Sequence, residues 1–526
     1  MSAISYSING GDFERVGMVA SRLKQRLKQL GVAPDSLRRV LIAAYEAEAN
    51  VVIHARRGIV RAVLTPSRVD VEVSDEGPGI PDIEQAMKEG FSTAPPAAVA
   101  LGFGAGMGLP NIKKNSDWFA IESEVGRGTR VRFSIHLSPQ RAFGALRNSL
   151  QVARELCRGC MQCLRVCPTN ALRVRPNGPE VLEHLCIDCG ACIQVCRTGA
   201  LGLPSGVGVP KPPEDAILVV PASFLVGFGP NTGVEEVLDA LSAMGFRRVR
   251  VVEEWEAALR RAALKYAREE AETRPVFSPA CPAVVNLIEM RFPSLIPHLA
   301  PFLSPIEAAR QELGCERLMV GVSCPAQYTA LTTGRTSEQL TVVSLRHLRL
   351  AVLRAASKSD AARDISSQHL RPEEGAGPGV LVVSGLRHVM RVLDMAENGL
   401  LADFVLVEPL ACEQGCFGAP VAGDDGFVAS ARWGRAASRF AGPAHAVRRE
   451  SPLVARRGMR LDDDMSRAIE KLARIDRLVR DLPGKDCGMC GAPTCAALAE
   501  DVVLGRADIR SCPYRADIPG ESDETQ

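Results

Sequence analysis

The chain has 526 residues, of which 46% are hydrophobic and 24% are charged, and its formal net charge is +2. A charge so close to zero gives no electrostatic reason to expect a nucleic-acid partner or an anionic membrane surface. The most apolar run, residues 216–229, contains Pro221 and is shorter than the roughly twenty residues that span a bilayer. No targeting segment is visible at the start, so we expect a cytoplasmic protein of about three or four domains.

The first 137 residues predict helices packed on a sheet. Apolar residues recur at helical spacing from Asp12 to Leu30, and a second helix is predicted from Pro34 to His54. Two runs rich in β-branched residues follow, IVRAVLT and RVDVEVSDEG. This order predicts an α/β sandwich in which helices cover an antiparallel sheet.

Four short motifs lie in this region: EAEANVVIHA (46–55), DEGPGIPD (75–82), GFGAGMG (102–108) and GRGTRVRF (126–133). Taken singly, glycine-rich stretches of this kind are most often turns. Their order and spacing together resemble the ATP-binding fold shared by histidine kinases, gyrase and the anti-sigma-factor serine kinases. The short length and the first motif look most like the anti-sigma-factor branch.

The resemblance assigns roles to residues of these motifs. It implies that Asn50 binds Mg²⁺, that Glu46 is the catalytic base, and that Asp75 accepts a hydrogen bond from the adenine amino group. Glu46 and Asn50 are four residues apart and therefore share a helix face. The other residues expected to bind ATP are Gly77, Gly79, Gly104, Gly106, Gly108 and Thr129. Glu48 is the competing candidate for the base, or else a solvated helix position.

Residues 157–196 contain two copies of the pattern CxxCxxCxxxC. This is the spacing of two-cluster bacterial ferredoxins, in which the fourth cysteine of each run ligates the cluster of the other run. The two predicted 4Fe-4S sets are Cys157, Cys160, Cys163 and Cys196, and Cys186, Cys189, Cys192 and Cys167. Zinc or disulfide bridging is the alternative, but zinc motifs rarely have a third cysteine at this spacing.

A proline- and glycine-rich linker is predicted at 201–215, and strands then alternate with helices from 216 to about 440. Continuous apolar strands of this kind predict parallel sheets covered on both faces. Cysteines follow the ends of several of these strands, at Cys281, Cys324, Cys412 and Cys416. On spacing alone, a metal site and ordinary buried cysteines explain these four thiols equally well.

Two stretches resemble the active-site domain of FeFe hydrogenases: SPACPAVVNLIEMRFPSLIPHLAPFLSPIEAA and EPLACEQGCFGAP. The resemblance implies that the four cysteines hold a 4Fe-4S cubane. It also implies that Cys416 is the ligand that bridges to a two-iron unit carrying CO and cyanide.

This chain departs from the hydrogenase pattern at four positions. Ala280 replaces a cysteine that relays protons, and Ala330 replaces a glutamate of the proton path. Gln327 replaces a lysine that holds a cyanide ligand, and Leu410 replaces a methionine beside the bridging carbonyl. Because a lost proton path blocks turnover without affecting thiolate ligation, we expect the cubane, treat the two-iron unit as doubtful, and expect no fast hydrogen turnover.

The end of the chain predicts a helix and a last cysteine set. Residues 462–482 have apolar residues at helical spacing, which indicates a helix packed on its own protein or a short coiled coil. The following cysteines resemble the small 4Fe-4S module of electron-transfer and corrinoid iron-sulfur proteins: Cys487, Cys490, Cys495 and Cys512. Structural zinc is the alternative. Cys315 completes the 17 cysteines and is most simply a buried small residue.

The expected architecture is therefore multidomain. It comprises an ATPase domain (1–137), a two-cluster ferredoxin domain (148–205), a hydrogenase-like α/β domain (216–440), and a helix with a small helical 4Fe-4S domain (462–515). The first hypothesis is an iron-sulfur redox or hydrogen sensor coupled to an ATP-binding output, whose serine kinase activity is left open. Its expected partners are an electron carrier and an anti-sigma-type regulatory protein. The alternatives are an oxidoreductase with low hydrogenase activity and an electron-transfer scaffold with a degenerate nucleotide site.

Overall fold

The structure is a computed structural model. It describes residues 2–101, 103–140, 148–204, 209–212, 215–229, 232–314, 316–333, 339–356, 379–423, 425–434 and 444–514. Cys315 lies outside these residues. The chain forms two compact units. The first comprises Met1–Ala142, Arg457–Lys485 and Thr494–Gln526, and the second comprises Phe143–Arg456 and Asp486–Pro493.

The first unit contains a five-stranded antiparallel sheet in the order β1-β2-β3-β5-β4. Its strands are β1 (Ser2–Asn9), β2 (Arg57–Leu64), β3 (Arg68–Asp75), β4 (Trp118–Glu124) and β5 (Gly128–His136). Every second residue of β2 and β3 is buried, as expected for a sheet with one face packed on a core. The predicted antiparallel sheet is confirmed.

Helix α2 packs on this sheet and contacts β1, β2, β3 and β5, and helix α5 contacts β4. The helices of this part of the unit are α1 (Met18–Gln29), α2 (Pro34–His54), α3 (Ile83–Ala86), α4 (Pro96–Ala100) and α5 (Gly108–Lys114). The bounds of α2 are those predicted, with Pro34 in the first turn where its missing N–H costs nothing. The first helix begins later than predicted, because Gly17 has a φ of 92° and separates α1 from a short 3-10 turn at Phe13–Arg15.

The second unit begins with the ferredoxin-like region. Its elements are β6 (Gln151–Val152), α6 (Gln162–Val166), β7 (Leu172–Arg175), β8 (Gly178–Val181), α7 (Ala191–Val195) and β9 (Leu201–Gly202). The strands pair as β6 with β9 and β7 with β8, both antiparallel, and α6 contacts α7. Since β9 lies inside the predicted linker, the linker prediction is wrong at its start.

Two parallel sheets follow, in the orders β11-β10-β13-β14 and β12-β16-β15. The strands are β10 (Ile217–Val220), β11 (Arg248–Val251), β12 (Val276–Phe277), β13 (Leu318–Val322), β14 (Leu340–Ser344), β15 (Val380–Ser384) and β16 (Leu406–Leu410). The helices are α8 (Ala222–Leu225), α9 (Val234–Ala243), α10 (Glu253–Glu269), α11 (Pro282–Arg291), α12 (Pro305–Glu312), α13 (Pro325–Thr332), α14 (Leu345–Ala356), α15 (Leu386–Glu397) and α16 (Gly426–Trp433).

Strand β10 shows why its sequence is apolar without alternation. Leu218 and Val220 belong to one hydrophobic cluster, whereas Ile217 and Val219 belong to another. Because neighbouring side chains of a strand point to opposite faces, the first sheet is covered on both sides. The predicted parallel, doubly covered sheet is confirmed.

The C-terminal helices α17 (Met465–Asp481) and α18 (Cys495–Val503) return to the first unit. The apolar stripe of α17 is buried, and the helix contacts β1 and α1. An ion pair joins Arg26 of α1 to Asp476 of α17, with 2.5 Å between Nη1 and Oδ2. Of the two sequence-based interpretations, a helix packed on its own protein is the one observed.

Candidate functional site

In the first unit, Asp75 lies at the end of β3 and is held by two backbone donors. The N–H groups of Gly77 and Thr129 donate to its Oδ1, at 2.8 and 3.3 Å. Burial raises the pKa of Asp75, and these two hydrogen bonds oppose the increase. Both of these N–H groups donate to Oδ1. Within the described residues, Oδ2 is therefore the oxygen that could accept a hydrogen bond from a ligand amine.

Two glycines near Asp75 have no room for a side chain. Gly79 has a φ of 74°, and a Cβ there would lie 2.3 Å from the carbonyl oxygen of Glu124. Gly128 has a φ of 102°, and a Cβ there would lie 2.1 Å from the carbonyl oxygen of Asp75. Gly79 was a sequence-based candidate, whereas Gly128 was not singled out although it lies in the GRGTRVRF motif.

Ser123 is a second residue that sequence reasoning missed. Its hydroxyl lies 2.9 Å from Oγ1 of Thr129 and accepts a hydrogen bond from the N–H of Ile80 at 2.8 Å. The hydroxyl therefore ties the DEGPGIPD and GRGTRVRF motifs together. No family motif pointed to it, because its role depends on strand β4 lying beside β5.

Residues of the EAEANVVIHA motif lie close to Gly108 of the GFGAGMG motif. A Cβ on Gly108 would lie 3.0 Å from Oδ1 of Asn50 and 3.5 Å from Oε2 of Glu46. Oε1 of Glu46 accepts a hydrogen bond from Nδ2 of Asn111 at 2.7 Å. The structure thus brings the proposed base and the proposed Mg²⁺ ligand to the start of α5.

The remaining glycines of the third motif shape the loop before α5. Gly104 and Gly106 have φ values of 91° and 71°. The carbonyl of Gly106 accepts a hydrogen bond from the N–H of Gly90 at 3.0 Å, and a Cβ on Gly106 would lie 2.4 Å from the carbonyl carbon of Gly90. The loop is therefore closed against a neighbouring turn rather than extended.

Glu48 is not a solvated helix residue, and that interpretation is wrong. Its side chain is only 2% exposed, and its carboxylate accepts hydrogen bonds from the N–H groups of Val19, at 3.1 and 3.2 Å, and Ala20, at 3.4 Å. These are orphan donors of the first turn of α1, so Glu48 acts as a cap supplied by another helix. Its carboxylate faces α1 and not Gly108, which leaves Glu46 as the candidate base.

In the second unit, Cys163 lies near thiols of both ferredoxin runs. Burial raises the pKa of Cys163 to about 11, with further contributions from Cys160, Cys157 and Cys196. Cys196 belongs to the second run, and its proximity is compatible with the predicted set of Cys157, Cys160, Cys163 and Cys196.

Cys192 of the second run also lies near thiols of the first run. Burial raises its pKa, and the neighbouring thiols that add to this increase are Cys189, Cys167 and Cys163. Cys167 and Cys163 both belong to the first run, so the thiols of the two runs lie close together. Their division into two ligand sets stays a prediction.

The four hydrogenase-like cysteines line one cavity of about 50 Å³. Cys281 and Cys324 directly precede helices α11 and α13, and Cys412 and Cys416 follow β16. Parallel strands end at the same edge of a sheet, which is where ligands of α/β proteins gather. The cavity is therefore built by three separate loops that the two sheets bring together.

Four thiols at one cavity are the type and number of donors that a 4Fe-4S cluster binds. Burial raises the pKa of Cys324 to about 12, and the next contribution comes from Cys281. Burial also raises the pKa of Cys412 and Cys416, with repulsion from neighbouring thiols. Iron would stabilise the thiolates that burial disfavours. Among the described residues, no His, Cys, Asp or Glu side chains are grouped closely enough for one metal ion, but the thiolates of a 4Fe-4S cluster each bind a different iron.

Three of the four residues that depart from the hydrogenase pattern line the same cavity. Ala280, Gln327 and Leu410 all contribute to its lining. Two carboxylates that sequence reasoning missed, Glu253 and Glu256, also line it. The only sequence signal for them is an acidic pair directly after strand β11, where an α/β site is expected.

Glu253 is a buried acid at the start of α10. Burial raises its pKa to about 8, with a further contribution from the charge of Glu256. Its Oε2 accepts a hydrogen bond from the N–H of Ala222 at 2.8 Å. Burial in the cavity therefore favours the protonated form of this carboxyl group.

The second ferredoxin set adjoins this cavity. Cys189 contributes to the lining, and the neighbouring Asp188 joins its loop to α13. The carbonyl of Asp188 accepts from the N–H of Ala326 at 3.0 Å, and its Oδ2 accepts from Oγ1 of Thr329 at 2.6 Å. Since Cys324 directly precedes α13, one helix contacts a ferredoxin loop and carries a hydrogenase-like cysteine at its start.

The last cysteine set comprises Cys487, Cys490, Cys495 and Cys512, of which the first two lie in the second unit. In the second unit, the N–H of Val174 in β7 donates to the carbonyl of Gly491 at 2.9 Å. The loop of Cys487 and Cys490 is therefore attached to the ferredoxin-like region. The role of the set as cluster ligands stays a prediction.

Comparison with protein families gives four separate matches. Residues 11–135 match the histidine kinase-like ATPase domain, 156–200 the 4Fe-4S dicluster domain, 216–311 the C-terminal domain of the iron-only hydrogenase large subunit, and 482–514 an Fe-S cluster family. These matches confirm the four resemblances and the multidomain fold that they imply.

Individual relatives match single parts of the chain. The serine/threonine-protein kinase RsbT of Bacillus subtilis is 32% identical over 20% of this chain and 76% of the relative. An anti-sigma F factor of Geobacillus kaustophilus is 33% identical over 22% of this chain and 79% of the relative. The corrinoid/iron-sulfur protein large subunit of Moorella thermoacetica is 44% identical over 9% of this chain and 10% of the relative.

Solved structures of FeFe-hydrogenases also match part of this chain. A variant of FeFe-hydrogenase HydA1 from Chlamydomonas reinhardtii is 16% identical, with a TM-score of 0.31, over 47% of this chain and 88% of that chain. In the part of the chain that the structure describes, no helix has the length and apolar character needed to cross a membrane.

Proposed function

The chain belongs, through residues 11–135, to the histidine kinase-like ATPase family that includes RsbT and the anti-sigma F factors, and we propose that it is a redox or hydrogen sensor. Its hydrogenase-like cluster site would detect the signal, and its ATPase-like domain would deliver the output. One observation carries this proposal: the four-cysteine cavity is lined by Ala280, Gln327 and Leu410, so it keeps the thiolates and lacks the relay groups of the hydrogenase pattern.

The proposed cofactors are four 4Fe-4S clusters, two in the ferredoxin-like region, one at the cavity and one in the C-terminal module. Such clusters supply one-electron chemistry when bound. The part played by the protein is to bury the thiolates and to set their hydrogen bonds. Because Cys189 lines the cavity, the ferredoxin-like region is the natural route for electrons between the cavity and an external electron carrier.

The proposed output is nucleotide chemistry in the first unit. Asp75 would accept from adenine, Asn50 would bind Mg²⁺, and Glu46 would take the proton of an attacking hydroxyl. The geometry that supports this is the approach of Gly108 to Asn50 and Glu46. By analogy with RsbT and the anti-sigma F factors, the output is either phosphorylation of a serine on a regulatory protein partner or nucleotide-controlled binding of that partner. We place this activity in the cytoplasm.

The test is whether the redox state changes nucleotide binding. Affinity for ATP with Mg²⁺ would be measured by calorimetry without oxygen, on oxidised protein, on chemically reduced protein and under hydrogen. A sensor should show a change of roughly fivefold or more between states, the usual lower range of coupling between two sites. In Cys412→Ala this change should disappear while ATP still binds.

Two results would contradict the sensor. Equal affinity in every redox state of the wild type would exclude coupling to the nucleotide site. Absence of binding in both wild type and Asp75→Asn would instead support the scaffold with a degenerate nucleotide site.

A second candidate function, an oxidoreductase with low hydrogenase activity, is favoured by Glu253 and Glu256, which place carboxyl groups in the cavity. It requires the two-iron unit. Infrared bands of CO and cyanide, found together with hydrogen evolution in protein matured and purified without oxygen, would establish this function over sensing alone. Evolution should then fall in Glu253→Gln.

A further inference from the structure

Gln327 is a buried polar residue in the wall of the four-cysteine cavity. Its side chain is 4% exposed, and that of Ser323 beside it is fully buried at 0%. Ser323 follows strand β13, and Gln327 lies in the first turn of α13. A buried amide in such a position needs partners for both its carbonyl oxygen and its amino group.

The partners of Gln327 fix which end of the amide faces which neighbour. The backbone N–H of Ser323 lies 2.8 Å from Oε1 of Gln327. A backbone N–H can only donate, so the atom facing it must be the carbonyl oxygen and not the amino nitrogen. The hydroxyl of Ser323 adds a second hydrogen bond to the same oxygen, at 2.9 Å.

With the oxygen held by Ser323, the amino group of Gln327 has a single orientation. Its Nε2 lies 3.5 Å from Sγ of Cys416, which it contacts as a donor. The first turn of α13 therefore directs a side-chain donor at one of the four cavity thiols.

We propose that Gln327 sets the reduction potential of the cluster held at this cavity by donating a hydrogen bond to Cys416, and that Ser323 is the residue that orients it. One electron added to a cluster increases the negative charge on its sulfur ligands, and no bond is made or broken. A donor at a thiolate stabilises the reduced form more than the oxidised form and so raises the potential. The proposal rests on the cubane of the proposed function, but not on its coupling to the ATPase-like domain.

The replacement of a lysine by glutamine follows the same logic. A lysine at position 327 would add a full positive charge to the cavity, whereas the amide of Gln327 contributes a dipole alone. The chain thus keeps a donor at Cys416 without placing an ammonium group in the cavity. We therefore expect the reduction potential of the cluster to be highest in Gln327→Lys. It should fall in the order wild type, Gln327→Leu and Gln327→Glu.

The test is an anaerobic redox titration followed by electron paramagnetic resonance. The cavity cluster is identified as the signal that Cys412→Ala lacks. Gln327→Glu keeps an oxygen for Ser323 but removes the donor and adds negative charge. At the wild-type midpoint potential, we expect the ratio of reduced to oxidised cluster to be roughly tenfold lower in this variant. A tenfold change corresponds to a midpoint lower by about 59 mV for a one-electron couple. Thr332→Val is the matched control in the same helix, because its hydroxyl bonds to the carbonyl of Tyr328, and its midpoint should equal that of wild type.

The outcomes separate this inference from the cubane itself. Unchanged iron per chain in Cys412→Ala refutes the cubane, and the role of Gln327 falls with it. Full iron content with equal midpoints in wild type, Gln327→Leu and Gln327→Glu refutes the role of Gln327 alone. If both Gln327 variants lose iron, Gln327→Lys decides: it keeps a donor at this position and adds a positive charge, and a midpoint that does not move to a higher potential overturns the proposal.

Discussion

The buried acid Glu253 gives a prediction about stability and pH. Replacing it by glutamine keeps an oxygen that can accept from the N–H of Ala222 but removes the ionisable group. Burial raises the pKa of Glu253 from 4.5 to about 8 in the folded protein. Between these values the folded state holds a proton that the unfolded state has lost, so this group makes the protein less stable as the pH rises through the interval.

The size of the effect follows from the two pKa values. Each pKa unit corresponds to 1.36 kcal/mol, so ionising Glu253 costs up to about 5 kcal/mol more in the folded than in the unfolded state. Of this loss in the free energy of unfolding, about 3 kcal/mol falls between about pH 6 and about pH 8. Relative to wild type, Glu253→Gln should therefore gain free energy of unfolding as the pH rises through this interval, and the gain should level off above about pH 8.

The assay is denaturant unfolding of the second unit at a series of pH values, on cluster-loaded protein without oxygen. Thr332→Val is the control, because it changes no ionisable group and removes only a hydroxyl that donates to the carbonyl of Tyr328. Its difference from wild type should be the same at every pH in the interval. Parallel curves for wild type and Glu253→Gln from about pH 6 to about pH 8 would refute the reasoning.

Three further predictions concern the sites. Cys412→Ala should lose the iron and labile sulfide of one cubane in anaerobic analysis and keep the ferredoxin-type spectrum, so an unchanged iron content would refute that ligand. Asp75→Asn should abolish the calorimetric signal for ATP with Mg²⁺, and wild-type affinity in the variant would contradict the adenine site. Glu48→Ala leaves the N–H groups at the start of α1 without their buried acceptor and should cost about 1–3 kcal/mol in urea unfolding, whereas a change below about 0.5 kcal/mol would contradict the capping role.

The elements that sequence reasoning placed correctly are those with a local cause. Pro34 fits only the first turn of a helix, and α2 begins there. The unbroken apolar run Ile217–Val220 predicts a strand covered on both faces, and its side chains divide between two cores. The cysteine spacing of residues 157–196 predicts ligand sets that exchange their last cysteine, and Cys196 lies close enough to Cys163 to raise its pKa.

The errors arose where a residue's environment is supplied by distant parts of the chain. Glu48 was weighed as a base or a solvated residue because nothing near it in sequence shows that α1, almost thirty residues earlier, provides its partners. Glu253 was not singled out, since an acidic pair at a helix start is ordinarily exposed and favourable there. Its burial depends on the loops of Cys281 and Cys416, which close the cavity around it.

The sequence by itself therefore determined the motifs of the chain: cysteine sets in fixed spacings, a nucleotide-type motif series, and a hydrogenase-like stretch without the relay residues of that pattern. Spacing can do this because ligand geometry within one loop is local. The tertiary structure decided which polar groups are buried and how they are oriented, including the burial that raises the pKa of Glu253 and the amide of Gln327 that faces Cys416. Those properties depend on desolvation and on donors from other elements, which exist only after the sheets have assembled.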